Sequence, residues 1–377
     1  MNRKGVALAL VLLAMLVTAA LAAGVLAATS TDARTSGDSR VAVRAAEAAD
    51  RGHLSLALAW SPESNLTMPQ GATLSPVLRS YADSTTSSAQ ITRLTRGSFW
   101  VTSTGRGSTA AGVLPVERRA GVLYTLHVPE PRLTAALNVR DSLLVAGAAV
   151  VSGTDTAPSA WGGFCLPGSS PVAAVAAPDT SRVCDGTCGT VGGRLVGTPP
   201  KLLDSAAALA SGLTQLGIVT WTSLVAHATH VFPPSATVTP APRLTGAVCD
   251  TTAATNWGDP SRSTPCRNRF VIVHAVGDLI IDGGLGQGVI LGEGDVELRN
   301  GAQFMGVILA RDDLLALTGS NQLWGAAIAG DARRAPSDYS VIAGATAVTY
   351  SSCVVDMSLL GTARLRREAQ RGWMPGH

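Results

Sequence analysis

Hydrophobic positions are unevenly spread along this chain, and the first block of them frames the rest. Residues 6–28 are 23 consecutive positions without a charge, and Thr18 is the one clearly polar side chain among them. At a rise of ~1.5 Å per residue such a helix is roughly 34 Å long, enough to cross a hydrocarbon core of ~30 Å. From residue 29 to about residue 59 the sequence turns polar without meeting a proline, so the helix can run on. Val41, Ala45, Ala48, Gly52 and Leu56 then recur at spacings of four, three, four and four, one apolar stripe on a 3.6-residue helix. Arg40, Arg44, Glu47, Asp50 and Arg51 take up the remaining surface.

Past the helix, residues 61–88 are rich in Pro, Ser and Thr without a period, which predicts a connector. Residues 89–95, 98–103, 112–117 and 121–128 are short, β-branched or aromatic runs parted by glycine turns, and predict an antiparallel sheet packed on the amphipathic half of the helix. Residues 137–147 and 148–153 read as further short strands. The Gly/Pro/Cys-rich stretch 158–198 has no period, and 202–232 has helical apolar spacing (Leu213, Leu216, Val219, Leu224, Val225, Ala228), predicting one or two short helices before Pro233.

From residue 270 the chain repeats itself. Asp278, Asp295 and Asp313 each open a hydrophobic run, 17 and 18 residues apart. A second series, opening at Gly288, Gly306 and Gly325, interleaves with it at spacings of 18 and 19. Two interleaved series with one period predict a parallel β-helix of about 18 residues per coil, each coil burying its apolar side chains only by stacking on the next. Glycine and asparagine suit the corners because they accept positive φ. Three to four coils are visible, and residues 137–153 would add another despite their distance in sequence. The competing expectation is a set of ordinary hairpins. Residues 350–355 read as a closing strand, followed by an Arg-rich, helix-like tail to Trp373.

Composition narrows the function classes. Charged residues make up 15 % of the chain and the net charge is +3, from 27 Arg and two Lys against 26 acids. The arginines are scattered apart from Arg364, Arg366, Arg367 and Arg371, and no basic stripe interleaves with aromatics, so nucleic acid is not an expected partner. All six cysteines (Cys165, Cys184, Cys188, Cys249, Cys266 and Cys353) lie beyond the apolar helix, and an even count in an exported chain points to disulfides. Cys249 with Cys266 is the favoured pair, closing the loop that holds Asn256-Trp257-Gly258-Asp259-Pro260. Cys184 and Cys188 lack companion ligands at zinc spacing, so a disulfide is expected there rather than a metal.

Catalysis has three weak candidates. Asp278, Asp295, Asp312 and Asp313 could line one face as paired carboxylates, but aspartate is also a common corner residue for structural reasons. His227 and His230, three apart on an expected helix, have no third ligand nearby. Residues 284–288 resemble a phosphate-cradling loop only loosely, since no Lys-Ser/Thr follows. No catalytic residue, cofactor or metal is expected.

Three readings compete for the amino end. A cleaved secretory signal would have an apolar core of ~7–15 residues, shorter than this one. A plain signal anchor fits the length, with Arg3 and Lys4 holding the amino end in the cytoplasm. The third uses Gly5: a basic leader ending in glycine, then an apolar helix at the next residue, resembles a type IV pilin. The run Lys4-Gly5-Val6-Ala7-Leu8-Ala9-Leu10 and the later Ala45-Ala46-Glu47-Ala48-Ala49 resemble the PilX-type minor pilins of type IV pilus assembly, over about the first 55 residues. The segment 256–260, Cys266 and the Gly-Asp-hydrophobic repeats beyond are similar to what often follows such an amino end.

That resemblance implies cleavage by prepilin peptidase after Gly5, with Val6 as the mature amino terminus. It implies an inner-membrane subunit with its C-terminal domain periplasmic or extracellular, whose partners are other pilin subunits and the assembly machinery. Major pilins carry Glu at mature position five; Leu10 stands there, which implies a minor subunit. The expected layout is a leader (1–5), a pilin-like helix (6–60), a connector with antiparallel strands (61–130), a Cys-rich domain with β-helix-like repeats (131–355, clearest at 270–332) and an Arg-rich tail (356–377). The expected fold class is α+β, mostly β. A different class, a secreted or anchored β-helix binding or cleaving polysaccharide, is the alternative.

Overall fold

The structure, a computed structural model, describes residues 3–108, 116–166, 168, 170–188, 192–208, 213–330 and 339–368. The architecture is mixed α/β and mostly β, with a single long N-terminal helix. It divides into two compact units: residues 1–59, 69–125 and 366–377, and residues 60–68 with 126–365.

In the first unit one unbroken helix, α1, spans Arg3–Leu58. Its polar interruptions do not break it because their hydroxyls bond back to the preceding turn: Thr18 donates to the Ala14 carbonyl at 2.9 Å and Thr29 to Val25 at 2.9 Å. Strands β1 (Val77–Ser80), β2 (Thr86–Arg93), β3 (Ser98–Gly107) and β4 (Val116–His127) form an antiparallel meander. Alternate side chains of β2 and β3 are buried, with Ala89, Ile91, Phe99 and Val101 at 1 % exposure or less. The stripe Val41, Ala45, Ala48, Gly52 and Leu56 is buried against them. Its small residues let the serines of the sheet come close to the helix: a Cβ on Gly52 would lie 2.3 Å from Ser103 Oγ. At the helix edge Arg51 pairs with Asp83 at 2.7 Å and lies 4.3 Å over the Tyr81 ring.

The second unit is made of parallel strands stacked one turn of chain above the next. One sheet runs in the order Ala236–Val238, Leu279–Asp282, Val296–Arg299, Leu314–Ala316, Ser340–Ile342, Leu143–Val145 and Val183–Cys184. The other begins with His230–Phe232, Val271–Ala275, Leu285–Gly292, Gln303–Ala310 and Gln322–Ala329. The sequence period is the vertical register of these sheets. Leu279 pairs with Val296 and Val296 with Leu314, while Gly288 pairs with Gly306 and Gly306 with Gly325.

The three glycines mark a bend in the long strands, with φ of 133°, 158° and 126°. A Cβ on Gly306 would lie 1.9 Å from the Gly288 carbonyl oxygen, and on Gly325 2.0 Å from that of Gly306, so this column admits no side chain. Past the bend the sheet divides: Gln322–Gly325 pairs with the strand Ala347–Tyr350, whereas Ala327–Ala329 pairs with Leu137–Val139.

Stacking order therefore departs from chain order. Residues 230–350 form one pile and residues 135–203 another. The last strands of the first pile, Ser340–Ile342 and Ala347–Tyr350, receive Leu143–Val145 and Gly147–Ser152 of the second. The expected addition of residues 137–153 to the repeats is thus a junction between two piles.

Both faces of the long strands are buried. Ile290, Ile308 and Ala327 point inward with Leu279, Leu298, Leu314 and Ile342 of the opposite sheet. Val289, Leu291, Val307 and Leu309 point outward under Leu213, Leu216, Trp221 and Leu224. A strand covered on two sides reads as a continuous apolar run, which is why Val-Ile-Leu recurs without alternation.

Several local expectations give way. Within residues 202–232, of which 209–212 lie outside the described residues, the expected short helices are present at residues 213–214 and Trp221–Ala226, but they share the segment with strands at Lys201–Leu203, Gln215–Leu216, Val219–Thr220 and His230–Phe232. The apolar spacing there came from a segment laid over the outward face of the parallel sheet. The closing strand expected at 350–355 is Ala347–Tyr350, and Ser352–Thr362 is a helix, N-capped by Ser351. The expected helix-like tail holds a strand, Arg364–Arg367, drawn into extended form by pairing as the outer strand beside β4; residues 369–377 lie outside the described residues. The strand expected at 112–117 falls mostly outside them, and β4 begins at Val116.

Candidate functional site

Two regions could carry function: the apolar half of α1 and the aspartate column. In the first, Gly5 and Val6 lie within the helix. From residue 11 to residue 32 every side chain is exposed, Leu16 and Leu26 at 70 % each. Val17, Ala20, Leu21, Gly24, Val25 and Ala28, spaced three and four apart, line a shallow apolar groove along one face. So much exposed aliphatic surface on one rod is stable in water only when lipid or other helices cover it.

In the second unit, Asp278, Asp295 and Asp313 stand at equivalent corners. The Asp278 carboxylate accepts from the Asp295 amide at 3.1 Å, and Asp295 from the Asp313 amide at 3.2 Å. Asp313 accepts from Ser340 Oγ at 2.9 Å, and Ser340 Oγ accepts from the Leu314 amide at 3.1 Å. The column stitches successive turns of chain together at backbone groups that the corner leaves outside the ladder. Asp295, Asp312 and Asp313 each bring a carboxylate oxygen within 4.8 Å of the others, a spacing at which a hard cation could be held. Asp312 and Asp313 are buried at 0 % and 3 %.

The structure bonds Cys165 to Cys353, Cys184 to Cys188 and Cys249 to Cys266. The last closes a polar knot. Asn256, Trp257 and Asp259 are fully buried, and Asp259 accepts from the amides of Ser261 at 3.0 Å and Thr264 at 2.6 Å. Burial pushes the Asp259 carboxyl up, but the bonds from Ser261 and Thr264 outweigh it and hold it below the ordinary value. Cys165–Cys353 sits beside Asp155, which accepts from both the amide and the hydroxyl of Ser352 at 2.9 and 2.6 Å. Nothing in the local sequence marks Asp155 for this part, since its partner lies 197 residues away.

His227 and His230 do not share a helix face: His227 caps the short helix and His230 begins a strand, where burial and Arg269 keep its imidazole below the ordinary value. Gly284 is a corner at φ 73° and the residues after it enter a strand, so no helix N-terminus follows as a phosphate loop requires. Sequence reading also missed the bracket that pins the covering segment. Trp221 Nε1–H donates to Glu293 at 2.9 Å, Arg311 pairs with Glu293 at 2.6 Å, and Arg311 lies 4.6 Å over the Trp221 ring.

No family model matches this chain, and no curated protein does. Among solved structures it is similar to the competence-associated pilin ComZ from Thermus thermophilus, at 12 % identity and a TM-score of 0.22, over 88 % of this chain and 98 % of that one.

Proposed function

We propose that the chain is a pilin-type subunit of a type IV pilus or related pseudopilus, held in the inner membrane before assembly. The observation that carries this reading is α1 itself. It is one 56-residue helix whose residues 11–32 are exposed and largely aliphatic and whose later stripe from Val41 to Leu56 is buried on an antiparallel sheet. Such a helix can exchange lipid for neighbouring helices without refolding, because its backbone bonds are all internal. Gly5 marks the prepilin peptidase cut and Val6 the mature amino terminus, and Leu10 in place of a carboxylate fits a minor, PilX-type subunit. The partners are other pilin subunits and the assembly machinery.

The three disulfides, all in the second unit, suit a compartment outside the reducing cytoplasm, so that unit faces the periplasm or exterior. The stacked parallel strands, with their glycine column and positive-φ corners, support reading the second unit as a short parallel β-helix. Its role is non-enzymatic: the carboxylates of Asp278 and Asp295 are engaged by backbone amides of the next turn.

The test is the mass and amino-terminal sequence of the mature protein from its native membrane. A start at Val6, abolished by changing Gly5, is the expected result. A start near Ala28 or an intact Met1 overturns the proposal.

A further inference from the structure

The outer face of the antiparallel sheet, turned away from α1, carries an aromatic side chain laid over a glycine. Trp100 on β3 pairs with Leu123, and the neighbouring outward position on β4 is Gly121. The indole lies across that glycine: a Cβ there would be 2.4 Å from Cζ2 and 3.0 Å from Cη2. The ring is therefore laid flat along the sheet, and only glycine permits it.

Beside it, in register, stand Gln90 with Thr102 and Ser88 with Thr104, all on the same face and all partly exposed, followed by exposed Arg119. Together they line a groove of about 470 Å³ that is open to solvent. Among the described residues that line it, its chemistry is one flat aromatic surface, a row of uncharged hydroxyl and amide groups, one guanidinium and no carboxylate.

We propose that this groove binds a neutral polysaccharide chain, with one pyranose ring stacked by its C–H face on Trp100 and its hydroxyls bonded to Gln90, Thr102 and Ser88. A flat ring bordered by hydrogen-bonding groups matches the two-sided character of a pyranose, apolar on its faces and polar at its rim. A single cation suits a neutral or sparsely charged chain better than a polyphosphate, which needs a track of cations. The inference is independent of peptidase processing, so either can fail alone.

The experiment is calorimetric titration of the full chain, in a detergent without a sugar headgroup, with cellohexaose, chitohexaose and a twelve-residue oligothymidylate. Binding of a hexasaccharide is expected, weakened about tenfold or more in Trp100→Ala, the scale of one lost aromatic stack. Gln90→Leu, which keeps the volume and removes the amide, is expected to weaken it a few-fold with the melting temperature unchanged, and decides the matter if Trp100→Ala does not fold. Absence of hexasaccharide binding, affinity unaltered in both variants, or preference for the oligothymidylate overturns the proposal.

Discussion

Gly105 of β3 and Ala45 of α1 meet so closely that a Cβ on the glycine would lie 1.9 Å from the Ala45 carbonyl oxygen and 2.5 Å from the Ala49 amide nitrogen. Helix and sheet touch there by backbone alone, and neither can yield without moving as a whole. Gly105→Val is expected to destabilise the first unit by about 3 kcal/mol, the upper range for overpacking a tight site. Gly97→Ala, where an added Cβ meets nothing within 4 Å, is the control and should stay within ~0.5 kcal/mol. Denaturant unfolding of the two variants makes the comparison.

The aspartate column separates a structural from a catalytic role. Asp295→Ala strips the acceptor from the Asp313 amide and is expected to cost about 1–3 kcal/mol, the penalty of leaving a polar group unpaired. Asp295→Asn keeps an oxygen at the same place and should lose much less. Thermal unfolding reads the difference. A glycan-cleaving activity abolished by Asp295→Asn with stability intact would instead place the carboxylate in chemistry.

His53 makes the first unit sensitive to acid. It is fully buried, with Nδ1 2.9 Å from the Tyr124 hydroxyl and Nε2 3.1 Å from Asp50. Burial lowers its affinity for a proton, and Arg367 adds to this, while Asp50 opposes it. Because the folded value lies below the unfolded ~6.5, acidification protonates the unfolded chain first. The contribution is complete above that value and is lost as pH falls below it. His227 and His230 shift in the same direction. The melting temperature is expected to fall between about pH 7 and pH 5, and less steeply in His53→Gln, as scanning calorimetry across pH would show.

The disulfides should rank by the span they close. The separations are 188, 17 and 4 residues, for which the chain-entropy model gives about 5, 3 and 2 kcal/mol. Paired Cys→Ser variants of Cys165/Cys353, Cys249/Cys266 and Cys184/Cys188 are expected to lose stability in that order. Urea unfolding of the oxidised proteins checks it.

What could be read in advance follows from where the information is local. The stripe from Val41 to Leu56 and the repeats carrying Asp278, Asp295 and Asp313 are periodic, and a period survives in sequence because each turn of structure repeats one environment. In the segment 202–232 the spacing of Leu213, Leu216 and Leu224 signalled short helices, of which Trp221–Ala226 is one, but hid the strands Gln215–Leu216 and Val219–Thr220, because all three side chains meet a common surface, the outward face of the parallel sheet. Bonds such as Asp155 to Ser352 and Trp221 to Glu293 join distant stretches and leave no local mark. The groove under Trp100 was illegible for the same reason, since Gly121 reads only as the start of a strand until its neighbour's ring is seen lying on it.

The junction of the two piles bears on how the chain matures. If the amino end leaves the membrane machinery first, residues 135–203 emerge long before Ala327–Ala329, Ser340–Ile342 and Ala347–Tyr350, the strands that close their lower rim. Until then that rim is a set of bare strand edges, the surface on which wrong pairings and aggregates start. The strands near residue 340 act as a keystone: they complete both piles at once, through contacts far apart in sequence, which makes folding late and slow. A chain shortened by its last few dozen residues would lose the middle of the second unit and not its end.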